Sequence, residues 1–86
     1  LAFPFADRKI EPLLVTVNPS PENEPFHLNY HNGQEYHYCL EGTYVISIDG
    51  KETTLNEGDS IYFNSSAHHG MKAVGNKAAK ILVIVI

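Results

Sequence analysis

Two histidines and a glutamate are the residues of this chain with the clearest potential for chemistry. His31 and Glu35 lie four residues apart, and His69 lies in a later segment. Two imidazoles and one carboxylate form the facial triad that suits non-haem iron(II), and manganese, nickel or zinc also fits such a set. The positions that the protein leaves open would take water or a substrate.

Alternation of side chains along three predicted strands would bring these residues to one place. The strands are 26–31 (FHLNYH), 35–40 (EYHYCL) and 68–74 (HHGMKAV), and each has period-2 alternation. If their inner faces all point into one barrel, His31, Glu35 and His69 can converge. The residues predicted to share those faces are His27, Asn29 and His31, then Glu35, His37 and Cys39, then His69, Met71 and Ala73.

The rest of the chain also reads as short strands separated by turns. Further strands are predicted at 13–17, 43–49, 52–55, 60–63 and 79–86, with Asp49 and Gly50 forming a hairpin turn. The segment 18–25 contains three prolines and is predicted to be a loop. About eight short strands at this spacing indicate an all-β sandwich, jelly roll or small barrel.

Both ends of the chain suggest a neighbour. Residues 81–86 are six consecutive apolar residues, which indicates a strand buried on both faces by a partner subunit or an upstream domain. The alternative is that the N-terminal segment covers this strand. Residues 1–5 (LAFPF) begin without methionine and are largely apolar. We therefore expect a fragment of a longer protein, with processing or tag removal as the alternative.

Composition excludes several classes of protein. The 86 residues allow one domain, and 43% hydrophobic with 19% charged residues is typical of a globular fold. A net charge of −4 without a basic cluster argues against direct nucleic acid binding. The single cysteine cannot form an internal disulfide, which favours the cytoplasm, and no apolar run is long enough to span a membrane.

Two stretches resemble the motifs of the cupin superfamily, whose members are small jelly-roll (double-stranded β-helix) barrels. Residues 31–50 (HNGQEYHYCLEGTYVISIDG) match the first motif at His31, Glu35 and Gly42, with Asn29 in place of its first histidine. Residues 55–70 (LNEGDSIYFNSSAHHG) match the second motif at Gly58 and His69. The resemblance covers about 26–86 and implies a single cupin domain over 1–86, with three of the four family metal ligands present. It makes Asn29, through its amide oxygen, a candidate for the fourth ligand, with His27 or His37 as substitutes.

Within that superfamily, the run 40–70 is most similar to the C-terminal sensor domain of XRE-type helix-turn-helix transcriptional regulators. This resemblance implies a small-molecule effector, a homodimer, and DNA recognition through an upstream domain that precedes Leu1. The alternatives are a small metal-dependent enzyme, a dioxygenase or isomerase, and a purely structural dimerisation domain. The replacement of a ligand histidine by Asn29, and the lack of an evident general base, favour sensing over catalysis.

A ligand cavity inside the barrel is predicted beside the metal site. Position 37 is often glycine in similar sequences, so His37 is expected to narrow that cavity. Cys39 is expected to be a small buried apolar residue, with a ligand or reactive thiol as the alternative. The predicted cavity residues are His37, Cys39, Tyr44, Ile46, Phe63 and Met71.

Overall fold

The computed structural model describes residues 10–21 and 23–86, and these residues form seven antiparallel β-strands. The strands are β1 (Glu11–Val17), β2 (Gln34–Glu41), β3 (Tyr44–Ile48), β4 (Lys51–Leu55), β5 (Ser60–Asn64), β6 (His69–Ala73) and β7 (Ala79–Val85). Within the described chain, a helix with the length and hydropathy of a membrane span is absent. The prediction made from the apolar residues 1–5 lies outside the described residues.

The strands form two sheets that face each other. The larger sheet has the order β1-β7-β2-β5, and the smaller sheet has the order β4-β3-β6. β7 lies between β1 and β2, so the last strand in the chain joins the first two. This arrangement is the all-β jelly-roll barrel that the sequence predicts.

Alternation decides which side chains enter the barrel. On β2 the odd-numbered residues of 35–39 are buried and the even-numbered ones are half-exposed, as period-2 packing requires. The core between the sheets consists of apolar side chains from six strands, β2 to β7. Its buried apolar members are Cys39, Tyr44, Ile46, Leu55, Phe63, Ala73, Ala79, Ile81 and Val83.

β7 lies inside the larger sheet, and the residues on its two faces differ in burial. Ile81 and Val83 point into the core, with 0% and 4% of their surface exposed. Leu82 and Ile84 lie on the opposite face and are half-buried by their neighbours in the sheet. That a partner subunit, an upstream domain or the N-terminal segment covers this outer face remains a prediction.

The predicted strand at 26–31 is wrong. The only ladder contact of this segment in the described chain is an isolated bridge between Asn29 and His69. The segment crosses β6 closely: a Cβ built on Gly70 would lie 2.7 Å from the carbonyl oxygen of His27. Only glycine at position 70 leaves room for this crossing.

Candidate metal centre

The inner face of β2 supplies the acidic side chain of the site. Glu35 is 6% exposed and lies beside Phe63 of β5 and Val85 of β7 in the register of the sheet. A carboxylate is seldom buried to this extent without partners, because removing its charge from water is costly. The partners of Glu35 are three histidines.

Two of those histidines come from different parts of the chain. His69 is the first residue of β6, and its backbone pairs with Asn29 through two hydrogen bonds of 2.9 Å. His31 follows two residues after Asn29, and its N–H donates to the carbonyl oxygen of Ser65 over 3.0 Å. The crossing segment therefore places His31 next to His69 without belonging to either sheet.

The three side chains meet at one carboxylate oxygen. Glu35 Oε2 lies 2.7 Å from His31 Nε2 and 3.1 Å from His69 Nε2. One ligand atom from each residue lies within 4.8 Å of the others. The sequence-predicted residues His31, Glu35 and His69 are thus brought together.

The outer ring nitrogens of both histidines contact backbone carbonyl oxygens. His69 Nδ1 lies 2.8 Å from the oxygen of Ala67, and His31 Nδ1 lies 3.1 Å from that of Asn32. A carbonyl only accepts, so each Nδ1 must donate its N–H. In the neutral ring, Nε2 then carries a lone pair and is free to bind a metal ion.

With this tautomer, the short contacts between Glu35 and the two neutral imidazoles cannot be hydrogen bonds. Two Nε2 lone pairs would face a carboxylate oxygen, and none of the three groups could donate a hydrogen. The arrangement needs positive charge at its centre, from protonated imidazoles or from a cation among the three atoms. Ligands at about 2.1 Å in adjacent positions of an octahedron lie about 3 Å apart. The 2.7 and 3.1 Å separations match that spacing, so the donor set fits a divalent metal ion.

His37 contacts the other oxygen of the same carboxylate. Its Nε2 lies 2.8 Å from Glu35 Oε1, and its Nδ1 lies 3.1 Å from the hydroxyl of Tyr44. His37 is fully buried, and its ring also packs edge-on against Phe63. The candidate ligand set therefore does not include His37, which contacts Glu35 from behind.

The pKa values of these groups reflect burial and mutual contact. Burial acts to raise the pKa of Glu35, but hydrogen bonds from His37 and His31 outweigh it and hold that pKa below its usual value. Burial lowers the pKa of His37, so this ring is neutral at pH 7. The pKa of His31 is raised, chiefly by its hydrogen bond to Asn32.

A cavity of about 490 Å³ adjoins the three side chains. Residues from β1, β6 and β7 form an aliphatic wall, and the crossing segment forms a polar rim with His27 and Asn29. Such a combination is typical of a small-molecule site. The aliphatic wall consists of Leu13, Val15, Val17, Met71, Val83 and Val85.

The structure corrects the predicted lining of this cavity. Of the six residues expected there, Met71 lines it, whereas the other five lie in the packed interior. The five packed residues are His37, Cys39, Tyr44, Ile46 and Phe63.

The remaining candidates lie at the edge of the site. His27 lines the cavity rim with its side chain 90% exposed, 4.0 Å from Glu24. Asn29 lines the cavity as well, beside His69. Cys39 is fully buried with its thiol 3.3 Å from the carbonyl oxygen of Gly42, as expected of a small core residue. Its burial raises the pKa of the thiol.

Sequence reasoning missed the contact between Glu35 and His37. The signal was present, because residues two apart on a strand share a face and both side chains were placed inside. A buried carboxylate next to a buried imidazole on that face indicates a hydrogen bond.

Residues 13–85 match the family model described as "Cupin domain". The chain belongs to the cupin family. A curated relative of this cupin, an uncharacterized protein of Methanocaldococcus jannaschii, is 30% identical over 70 residues, which are 81% of this chain and 55% of the relative. The cupin therefore spans about half the length of the relative.

Solved structures share the fold of this cupin. The iron(II) form of HppE in complex with its substrate is 26% identical, with a TM-score of 0.81 over 90% of this chain and 45% of HppE. Hydroxypropylphosphonic acid epoxidase from S. wedmorenis in complex with fosfomycin is also 26% identical, with a TM-score of 0.79 over 90% of this chain and 43% of the epoxidase.

Proposed function

We propose that this cupin domain binds one divalent metal ion, iron(II) foremost, through His31, Glu35 and His69, and uses it on a small oxygen-bearing substrate. The observation that carries the proposal is the convergence of two histidine Nε2 atoms, whose Nδ1 atoms are committed to carbonyl oxygens, on Glu35 Oε2. Manganese, nickel and zinc are the other ions that such a set accepts.

The likeness to HppE supports iron(II), since that protein is an iron(II) protein with a bound substrate. A bound divalent ion would polarise a substrate oxygen or activate dioxygen in such a site. The reaction class that fits is therefore a metal-dependent oxidation or isomerisation, as in a dioxygenase or isomerase. Three protein ligands leave room for substrate and water in an octahedral shell.

The protein's own side chains would hold and shield the substrate. The aliphatic wall excludes water from one side of the site, which strengthens electrostatic interactions there. Asn29 and His27, at the rim, supply hydrogen-bonding groups for the end of a substrate that points away from the wall. The residues support a compact substrate with an aliphatic part and an oxygen-bearing head.

Metal analysis with an oxygen assay tests this proposal. The protein is loaded anaerobically with iron(II), desalted and analysed for metal content and oxygen consumption. We expect one ion per chain and oxygen uptake in the presence of small hydroxy or keto acids. A protein that retains none of iron, manganese, nickel or zinc would overturn the proposal.

A second candidate is the sensor domain of a helix-turn-helix regulator. The outer face of the larger sheet favours it, because Leu14 and Tyr62 there are 66% and 58% exposed, which suits a homodimer interface. In this role the cavity would bind an effector in the cytoplasm, and DNA would be bound by an upstream domain. Effector-dependent DNA binding by the full-length protein, without oxygen consumption, would favour this role over the enzyme.

A further inference from the structure

Behind the proposed metal ligands lies a buried hydrogen-bonded chain of three side chains. It runs from Tyr44 of β3 through His37 to Glu35 of β2, with contacts of 3.1 and 2.8 Å. Tyr44 and His37 have no exposed surface, and Glu35 is 6% exposed. The chain therefore links the smaller sheet to the carboxylate at the centre of the site.

The direction of every hydrogen in this chain is determined. An ionised Glu35 only accepts, so His37 must donate from Nε2 to Oε1. In a neutral imidazole Nδ1 then accepts, and the hydroxyl of Tyr44 donates to it. Each polar atom of His37 has one partner of the right kind, as a buried imidazole requires.

Packing holds the chain in this arrangement. The ring of Phe63 lies edge-on to His37 at 5.1 Å and to His69 at 5.0 Å, measured between ring centroids. Phe63 therefore separates His37 from His69 and keeps each ring in its own orientation. His37 contacts Oε1 of Glu35 and does not belong to the group of ligand atoms within 4.8 Å of one another, which His31, Glu35 and His69 form.

We propose that His37, held by Tyr44, is a positioning residue that occupies Oε1 of Glu35 and so restricts this carboxylate to binding the metal ion through Oε2 alone. This inference rests on the proposed function, because it concerns the same site. If both oxygens bound the ion, Oε1 would share its electrons between the ion and the N–H of His37, and this hydrogen bond would be weakened in a place where water cannot replace it. One-oxygen binding by Glu35 leaves one more position for substrate.

Cobalt(II) binding by wild type and variants tests the inference. The dissociation constant is measured by competition with a chromophoric chelator, and the visible spectrum of the cobalt(II) protein reports the ligand count. His37→Phe removes the donor, so we expect affinity to fall by about 10- to 100-fold and the spectrum to change as Glu35 becomes free to bind with both oxygens. His37→Gln restores an N–H donor and should recover the wild-type spectrum and most of the affinity.

Tyrosine variants provide a milder test that leaves the core filled. Tyr44→Phe removes only the hydroxyl that fixes His37, so it should weaken cobalt(II) binding, by less than His37→Phe. Tyr62→Phe removes an exposed hydroxyl from the outer face and should have no effect. Circular dichroism confirms folding of each variant, and Tyr44→Phe with His37→Gln decides the question if His37→Phe does not fold.

The outcomes separate the inference from the proposed function. Wild-type protein that does not bind cobalt(II) overturns the proposed metal site and the inference with it. Wild-type protein that binds cobalt(II), with Tyr44→Phe and the His37 variants all matching its affinity and spectrum, overturns the inference alone. The same holds if His37→Gln behaves like His37→Phe.

Discussion

Asn29 and His69 face each other across an isolated antiparallel bridge and exchange two backbone hydrogen bonds of 2.9 Å. Residues directly opposite in such a pair have side chains on the same side, with Cα atoms about 5.5 Å apart. Asn29 therefore lies on the cavity side beside His69. The direction of the Asn29 side chain therefore predicts how a substitution at this position would affect metal binding.

Asn29→His should tighten metal binding. The new imidazole would stand beside His69 and supply a fourth ligand, so affinity for cobalt(II) should rise by at least the roughly tenfold that an outer-shell partner contributes. Competition with a chelator measures the change. Asn29→Ala serves as the control, and an Asn29→His protein that binds no more tightly than wild type would contradict the expected side-chain direction.

Two adjacent histidines allow a matched test of the metal site. His69→Ala should lower metal affinity by more than about 100-fold, because a ligand contributes more than the 10- to 100-fold of an outer-shell partner. His68→Ala should leave metal content unchanged, since the His68 side chain is exposed and its ring lies beside that of Tyr30, with 4.7 Å between the ring centroids. Metal analysis after desalting gives the result. Equal metal content in the two variants would show that His69 is not a ligand.

Acid should destabilise the metal-free protein through His37. Burial lowers the pKa of His37, so below about pH 6.5 the unfolded chain binds a proton that the folded chain does not. The free energy of unfolding should fall as the pH drops from about 6.5 towards the folded-state pKa, by at most about 1.4 kcal/mol per pH unit. The raised pKa of His31 acts in the opposite direction and at higher pH, because its contribution to stability is complete below about pH 6.5 and is lost as the pH rises through its folded-state pKa.

Urea unfolding between pH 5 and 8 measures this dependence. Glu35, whose pKa is lowered, contributes stability that is lost only in more acidic solution, as the pH falls through its folded-state pKa. His37→Gln removes the titrating group but keeps a donor, so its unfolding free energy should vary less with pH. A wild-type protein that grows more stable from about pH 6.5 to about pH 5.5, below the range in which His31 acts, would contradict the burial of a neutral His37.

Gly70→Ala should lower stability and metal affinity, although Gly70 is not a candidate ligand. The added Cβ would lie 2.7 Å from the backbone oxygen of His27 and 3.2 Å from a methyl carbon of Leu28. Overpacking of this kind costs about 1–3 kcal/mol, and the crossing segment must move away from β6. Both urea stability and metal affinity should fall, because His31 is carried by that segment. Normal affinity in a destabilised variant would show that His31 is held by other contacts.

Several strands could be predicted from sequence because their side chains alternate between a buried inner face and a more exposed outer face. The predicted strands at 35–40, 43–49 and 79–86 match β2, β3 and β7 to within two residues. The segment 26–31 has the same alternation, but in the described residues its strand pairing is limited to the bridge at Asn29, so pattern could not distinguish a crossing segment from a strand.

The site could be predicted in outline, and its surroundings could not. Spacing and family resemblance brought His31, Glu35 and His69 together, although their roles as ligands stay a prediction. Face alternation placed Tyr44 and Cys39 inside, but it does not say which part of an interior is open and which is filled. That depends on how closely the two sheets approach, a property of the whole barrel.

The position of β7 has a consequence for the order in which the protein acquires its site. Ala79–Val85 is the last of the seven strands to leave the ribosome, yet among the described residues it is the only strand paired with β1 and one of the two paired with β2. Pairings between strands far apart in the chain form slowly. During synthesis β1 must remain without this partner until β7 emerges, so until then the candidate ligands His31, Glu35 and His69 would lack the part of the aliphatic wall that β1 and β7 supply in the finished domain.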